Sequence, residues 1–393
     1  MGKKGNKLIY YLALIGFFGI FSTTISKNPV LSLYTQALGA SEVVIGLIAA
    51  ISPLAGILFS FPIGMLSDKI GKKKLLVASS LVFVISPLFY LFINSAVWLI
   101  PIRFFHGIAT AILGPVVAAM IVSIYEKDKG EKLGWYSSST LIGRTIAPLI
   151  GGAIISYFIA YGLWSYKFVY LAAFIFAIPT LILVLFLKYE SNGKTKILEL
   201  KDFSSNFKYM FNEKKILSTA LVQLATYFAF GAFETYLPIF LSDKGIPAYQ
   251  IGFIFSLQIF SIALSQPVFG KIADRIDKRI QIVLGILTLG IAIGIVALFS
   301  SIISVILLGI LFGLGLSFST VATSSYVAEI ADKDKLGTSL GGLSSIMDLG
   351  HSSGPFITGI IISSLSFFWG FFASLVLAVI SAIVFYAINR RKN

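Results

Sequence analysis

Five charged residues stand inside apolar stretches of this 393-residue chain: Lys27, Arg103 and Arg144 in the first half, Glu234 and Asp348 in the second. A charge at mid-bilayer costs about 3 kcal/mol on insertion scales, so each is a candidate for function, facing a cavity or a partner. Only the two acids can change charge during a working cycle, because a guanidinium stays protonated. An acid that alternates between an open cavity and a paired state can load and release a proton. Glu234 and Asp348 are therefore read as proton-coupling residues, with Arg103 and Arg144 as the cations that tune them. The alternative for all five is a set of buried ion pairs that hold the two halves in register.

Other chemistries find no support. The chain has no cysteine, and its two histidines, His106 and His351, are too few for a histidine metal site. They are read as proton relays or as hydrogen-bonded packing residues. A G-x-x-x-x-G-K-[ST] loop is absent, which argues against ATP-driven work, and no constellation for hydrolysis stands out. No enzyme activity, cofactor or metal is expected. Aromatic residues make up 14% of the chain. Tyr34, Tyr136, Tyr227, Phe230, Phe233 and Tyr236, together with Lys27, are candidates for a substrate-binding cavity, where rings give broad apolar contact.

The elements that carry these residues follow from composition. The chain is 57% hydrophobic and 12% charged, about half the charged fraction of a soluble domain. About twelve apolar windows, from residues 8 to 35 through 367 to 388, are each long enough to cross a bilayer as a helix. The first is too long for a removable signal peptide and is read as a span. With the N-terminus inside, 26 of the 31 Lys and Arg fall in cytoplasmic segments and alternate loops are nearly free of positive charge. The net charge of +14 is thus mostly a topology signal and does not point to nucleic acid. Both termini are expected to be cytoplasmic, in the plasma membrane.

A polar stretch splits the chain into a six-helix bundle over residues 1–187, a cytoplasmic linker over 188–215 and a second six-helix bundle over 216–393. The halves repeat. GMLSDKIGKKK (Gly64 to Lys74) is echoed by GKIADRIDKR (Gly270 to Arg279), and EKDKGEKLG (Glu126 to Gly134) by EIADKDKLG (Glu329 to Gly337). GRTIAPLIGG (Gly143 to Gly152) is echoed by GHSSGPFITG (Gly350 to Gly359). Six spans per repeat put both copies in one orientation, as two bundles flanking a cavity. The expected fold is an all-α polytopic membrane protein with twelve helices in two pseudo-symmetric bundles. Small residues at Gly143, Gly151, Gly152 and Gly354 permit close helix approach, and Pro148 and Pro355 bend their helices.

GMLSDKIGKKK resembles the loop between the second and third helices of the major facilitator superfamily, matching at Gly64, Asp68, Gly71 and Lys72; the second copy keeps Asp274 but has Asp277 where the glycine belongs. Arg103, Gly107 and Ala111 resemble the fourth-helix motif, with His106 in place of glutamine. GRTIAPLIGG resembles the fifth-helix motif of the family's antiporters, with Ala147 replacing a glycine. The whole is most like the twelve-span drug:proton antiporter branch. The resemblance implies alternating access and proton-coupled export of amphipathic or aromatic small molecules, by a monomer whose partners are substrate, protons and lipid. It also implies that Asp68 latches onto the helix N-terminus near Leu336 to Ser339, and it likens Glu234 to a seventh-helix acid of multidrug exporters. Uptake of a sugar or organic anion is the alternative within transport, and a lipid scramblase or membrane sensor lies outside it.

Overall fold

A computed structural model describes residues 2–125, 128–189, 212–332 and 335–390, with the side chains of residues 2–7, 60–62, 64–69 and 338 outside that description. Most of the linker expected over residues 188–215 therefore lies outside the described residues. Among them no strand occurs, as apolar windows this long require, because in lipid a helix satisfies its own backbone groups.

The first half supplies α1 (Gly2–Ile25), α2 (Val30–Ala37), α3 (Glu42–Ile70), α4 (Lys72–Leu91), α5 (Leu99–Ile124), α6 (Lys129–Tyr157) and α7 (Trp164–Phe186). The second supplies α8 (Lys214–Asp243), α9 (Ala248–Ala273), α10 (Lys278–Ile295), α11 (Ile302–Ile330), α12 (Leu336–Ser364) and α13 (Phe367–Asn389). The window read as one opening span is two helices, because Pro29 stands at the start of α2 and Lys27 lies in the turn before it. Counting α1 and α2 as one span gives the expected twelve. Among the described residues eleven spans are long and apolar enough to cross a membrane; α12, rich in glycine and serine and carrying Asp348 and His351, is not one of them.

The helices pack into two compact units. One takes in Met1–Ala40, Ile51–Ile197 and Ile246–Ser256; the other takes in Ser41–Ala50, Leu198–Gly245 and Leu257–Asn393. The openings of α3 and α9 thus each cluster with helices of the other repeat. In the first unit, α1 lies against α6 and α7, and α4 against α5 and α7, around Leu12, Phe83, Leu113 and Val117. In the second, α8 lies against α12 and α13, and α10 against α11 and α13. Large apolar side chains such as Phe92 and Leu264 stay exposed on the helix surfaces, as expected where the surrounding solvent is lipid.

The two motif turns reach one outcome by different chemistry. Gly71, before α4, has φ 96°, a left-handed conformation that favours glycine. Its counterpart Asp277, before α10, has φ −62° and instead accepts a hydrogen bond from the Arg279 backbone N–H at 3.0 Å. The missing glycine of the second copy is replaced by a side-chain helix cap.

Candidate functional site

Glu234 on α8 meets His351 on α12, with Oε2 to Nε2 at 2.9 Å and side-chain exposures of 8% and 17%. An aromatic wall surrounds the pair. The Phe230 ring centroid lies 5.2 Å from His351 and that of Tyr227 6.5 Å away. Phe230 also stacks on Phe312 of α11, and Phe233 stacks on the same ring at 4.2 Å. Asp348 stands three residues before His351, on the same face of α12, and is half-buried.

Helices this close need small residues where they touch. A Cβ on Gly350 would meet the Leu224 carbonyl oxygen, and one on Gly354 the Phe228 carbonyl oxygen. A Cβ on Gly231 would meet Pro355 Cδ at 2.7 Å and the His351 carbonyl at 2.8 Å. Pro355 has no N–H to bond that carbonyl, four residues before it, so α12 lacks an internal bond beside His351.

Two residues beyond Glu234, the Tyr236 hydroxyl is shared between the carbonyl oxygens of Glu42 at 2.7 Å and Pro355 at 2.9 Å. Gly46 lies directly over the Pro355 carbonyl and Gly359 over that of Glu42, while Ser352 Oγ donates to the Ala50 carbonyl at 3.1 Å. The first unit contains the matching crossing. Gly252 lies over the Pro148 carbonyl and Gly152 over that of Ala248. Here the fastenings are Leu149 N–H to Ser256 Oγ at 3.2 Å and Tyr249 N–H to Ser156 Oγ at 3.0 Å. The small residues of GRTIAPLIGG therefore seat backbone on backbone: a Cβ on Gly143 would meet the Phe17 carbonyl at 2.9 Å, and Gly151 packs on Ile25 and Val30.

The remaining expected site residues are spread over both units. Arg103 is buried and Arg144 exposed, both in the first unit, and among the described residues neither forms a salt bridge. Within the second unit, Glu234 is in contact with His351. Tyr34 is fully buried, its hydroxyl donating to the Ile93 carbonyl at 3.0 Å; Tyr136 is buried against Gly16, and Lys27 is half-buried. Phe233 and Tyr236 are fully buried, whereas Tyr227 and Phe230 keep some exposure. Of the gating motif, Lys72 Nζ donates to the Ala119 carbonyl at 3.4 Å and Asp274 is exposed. The Asp68 side chain and its expected latch lie outside the described residues, as does everything about Gly64 beyond its place in α3.

The fold is shared with transporters of known structure. The fold superposes on a bacterial homologue of the human lysosomal transporter Spinster with a TM-score of 0.82, covering 99% of this chain and 98% of that one at 17% identity. It superposes on the nucleoside transporter NupG with a TM-score of 0.77, covering 98% and 100% at 15% identity. By sequence, the chain is 27% identical over 325 residues to an MFS-type transporter of Methanocaldococcus jannaschii, covering 82% of this chain and 83% of the relative. It is 26% identical over 278 residues to the multi-drug resistance efflux pump PmrA of Streptococcus pneumoniae, covering 67% of each. The PmrA homologue of Lactococcus lactis is 25% identical over 367 residues, covering 91% and 89%. With eleven candidate spans among the described residues, and with the model of the Major Facilitator Superfamily matching residues 12–257 and 219–393, this chain belongs to that superfamily of transporters.

Proposed function

We propose that the protein is a proton-coupled exporter of amphipathic or aromatic small molecules, working by alternating access with both termini in the cytoplasm. The Glu234–His351 pair is its proton-carrying group. The observation that carries this reading is the 2.9 Å carboxylate–imidazole contact within an aromatic wall. Of the side chains facing one another there, these two can gain and lose a proton near neutral pH as a coupled pair. A cationic, ring-bearing substrate satisfies the carboxylate in place of the proton and stacks on the aromatic rings. Substrate and proton then compete for one site, which is what antiport requires.

The hydroxyl of Tyr236 gives the pair a mechanical output. From α8 it bonds to Pro355 on α12 and to Glu42 at the opening of α3, so a change in how α8 and α12 meet reaches that contact. The efflux-pump relatives support the direction of transport. One observation favours uptake of an organic anion instead: the spans of the first unit carry Lys27, Arg103, Arg144 and Lys167.

The test uses purified protein in liposomes with an imposed pH gradient and ethidium as the substrate. Wild-type protein should accumulate the dye uphill, while Glu234→Gln should fall to the level of empty liposomes yet still bind ethidium. Uphill transport by the glutamine variant at the wild-type rate would remove the pair from the mechanism. Gradient-driven movement of an organic anion, with none of ethidium, would install the uptake reading.

A further inference from the structure

The first unit encloses a polar cluster apart from the Glu234–His351 pair. Tyr90 on α4, Arg103 and His106 on α5, and Tyr170 on α7 are all 2% exposed or less. The Tyr90 and Tyr170 rings stack at 4.1 Å with 6° between their planes. Arg103 lies near enough to both tyrosines and to His106 for its charge to act on all three. Yet Arg103 Nε, both ring nitrogens of His106 and the Tyr170 hydroxyl have no hydrogen-bond partner, and the Tyr90 hydroxyl, beside the Arg103 guanidinium, has no acceptor for its own proton. A guanidinium N–H, an imidazole N–H and two O–H groups are therefore donors in search of an acceptor. Buried polar atoms are rarely left in that condition.

The charge of the cluster is equally unmet. A guanidinium keeps its proton even when buried. Among the described side chains of this unit the only acids are Asp128 and Glu131, beside the start of α6. Asp128 lies past the far end of α5 from Arg103, about 30 Å away along some twenty residues of helix. Lys167, one turn before Tyr170 on α7, adds a further positive charge.

We propose that Arg103, His106, Tyr90 and Tyr170 hold a small monovalent anion of the size of chloride. Water satisfies the donors but leaves the guanidinium charge uncompensated; an anion does both. The ligand is inorganic because the site is enclosed. Its four side chains are all but inaccessible, and α5 presses on α3 through Gly107, where a Cβ would meet the Ser52 carbonyl at 2.5 Å. This site is independent of the Glu234–His351 pair.

The experiment replaces gluconate by chloride or bromide at constant ionic strength and pH, using the full-length protein in detergent. The thermal unfolding midpoint is followed. Wild-type protein should show a saturable rise with both halides. Arg103→Gln should lose that rise. The double variant Tyr90→Phe, Tyr170→Phe keeps the ring stack and tests the site even if the arginine variant does not fold. Its half-saturating halide concentration should rise about tenfold or more, the ratio for one lost hydrogen bond to a charged group. A midpoint indifferent to the anion in wild-type protein overturns the proposal, as does a halide response that the tyrosine double variant leaves unchanged.

Discussion

The two backbone crossings, one in each unit, are built alike and fastened differently. Gly252 over Pro148 repeats Gly46 over Pro355, and Gly152 over Ala248 repeats Gly359 over Glu42. The fastenings do not repeat. Two serine hydroxyls accept backbone N–H groups in the first unit, whereas Tyr236 bridges two carbonyls in the second. The difference teaches that the repeat preserved what sterics demand, a residue without a Cβ under a carbonyl, and let the polar chemistry diverge. Only the second crossing shares its helices with an acid and a histidine. On the proposed mechanism it is the one that answers to a proton, with the first as its fixed counterpart.

The largest expected effect tests the shared part. Gly46→Leu and Gly252→Leu each drive a side chain into a backbone carbonyl, and each should cost about 3 kcal/mol or more of stability. Gly337→Leu, where a Cβ meets nothing within 4 Å, should be nearly neutral. Thermal unfolding midpoints and the yield of monodisperse protein read the outcome. If only one of the two crossings tolerates leucine, the likeness between them is broken.

A smaller effect tests the fastening. Tyr236→Phe removes a shared hydrogen bond at a cost of about 1 kcal/mol and should reduce proton-driven transport more than it reduces stability. The double variant Ser156→Ala, Ser256→Ala should cost about as much in stability and leave the coupling of transport to the pH gradient unchanged. Equal loss of coupling in both would show that the first crossing is no passive counterpart.

The smallest effect lies at the motif turns. Gly71→Ala should cost about 1 kcal/mol because φ there is 96°, and Asp277→Ala about the same through the lost helix cap. Gly71→Asn should recover little of the loss, since φ 96° with ψ 134° lies outside the left-handed helical region that asparagine tolerates, whereas Asp277→Gly should cost only a few tenths. Full recovery with asparagine at position 71, or a large loss with glycine at position 277, would mean that the turns share one mechanism after all.

Much of this was legible in the sequence because it rests on local or periodic signals. Twelve apolar windows gave the spans, and the offset between GRTIAPLIGG and GHSSGPFITG gave the repeat. Glu234 stood out because a charge in a span is costly. Its partner did not, because His351 is 117 residues away and a lone histidine carries no spacing signal. Arg103 was expected to tune the acids; its neighbours within the first unit, Tyr90, His106 and Tyr170, carried no signal in the sequence because they come together only through packing. Gly46 and Gly252 were also invisible, since glycine is common in membrane helices and only the neighbouring carbonyl reveals its purpose. The break after α1 had a signal in Pro29 that the surrounding apolar run outweighed.

The interleaving of the units also has a consequence in time. The opening of α3 packs on Pro355, about 300 residues further along the chain. At a synthesis rate of about 5–20 residues per second, that segment waits roughly 15–60 s for its partner to be made. During that interval Gly46 and the Glu42 carbonyl have no helix to seat them. The first half is thus incompletely packed at the opening of α3 until α12 has been made.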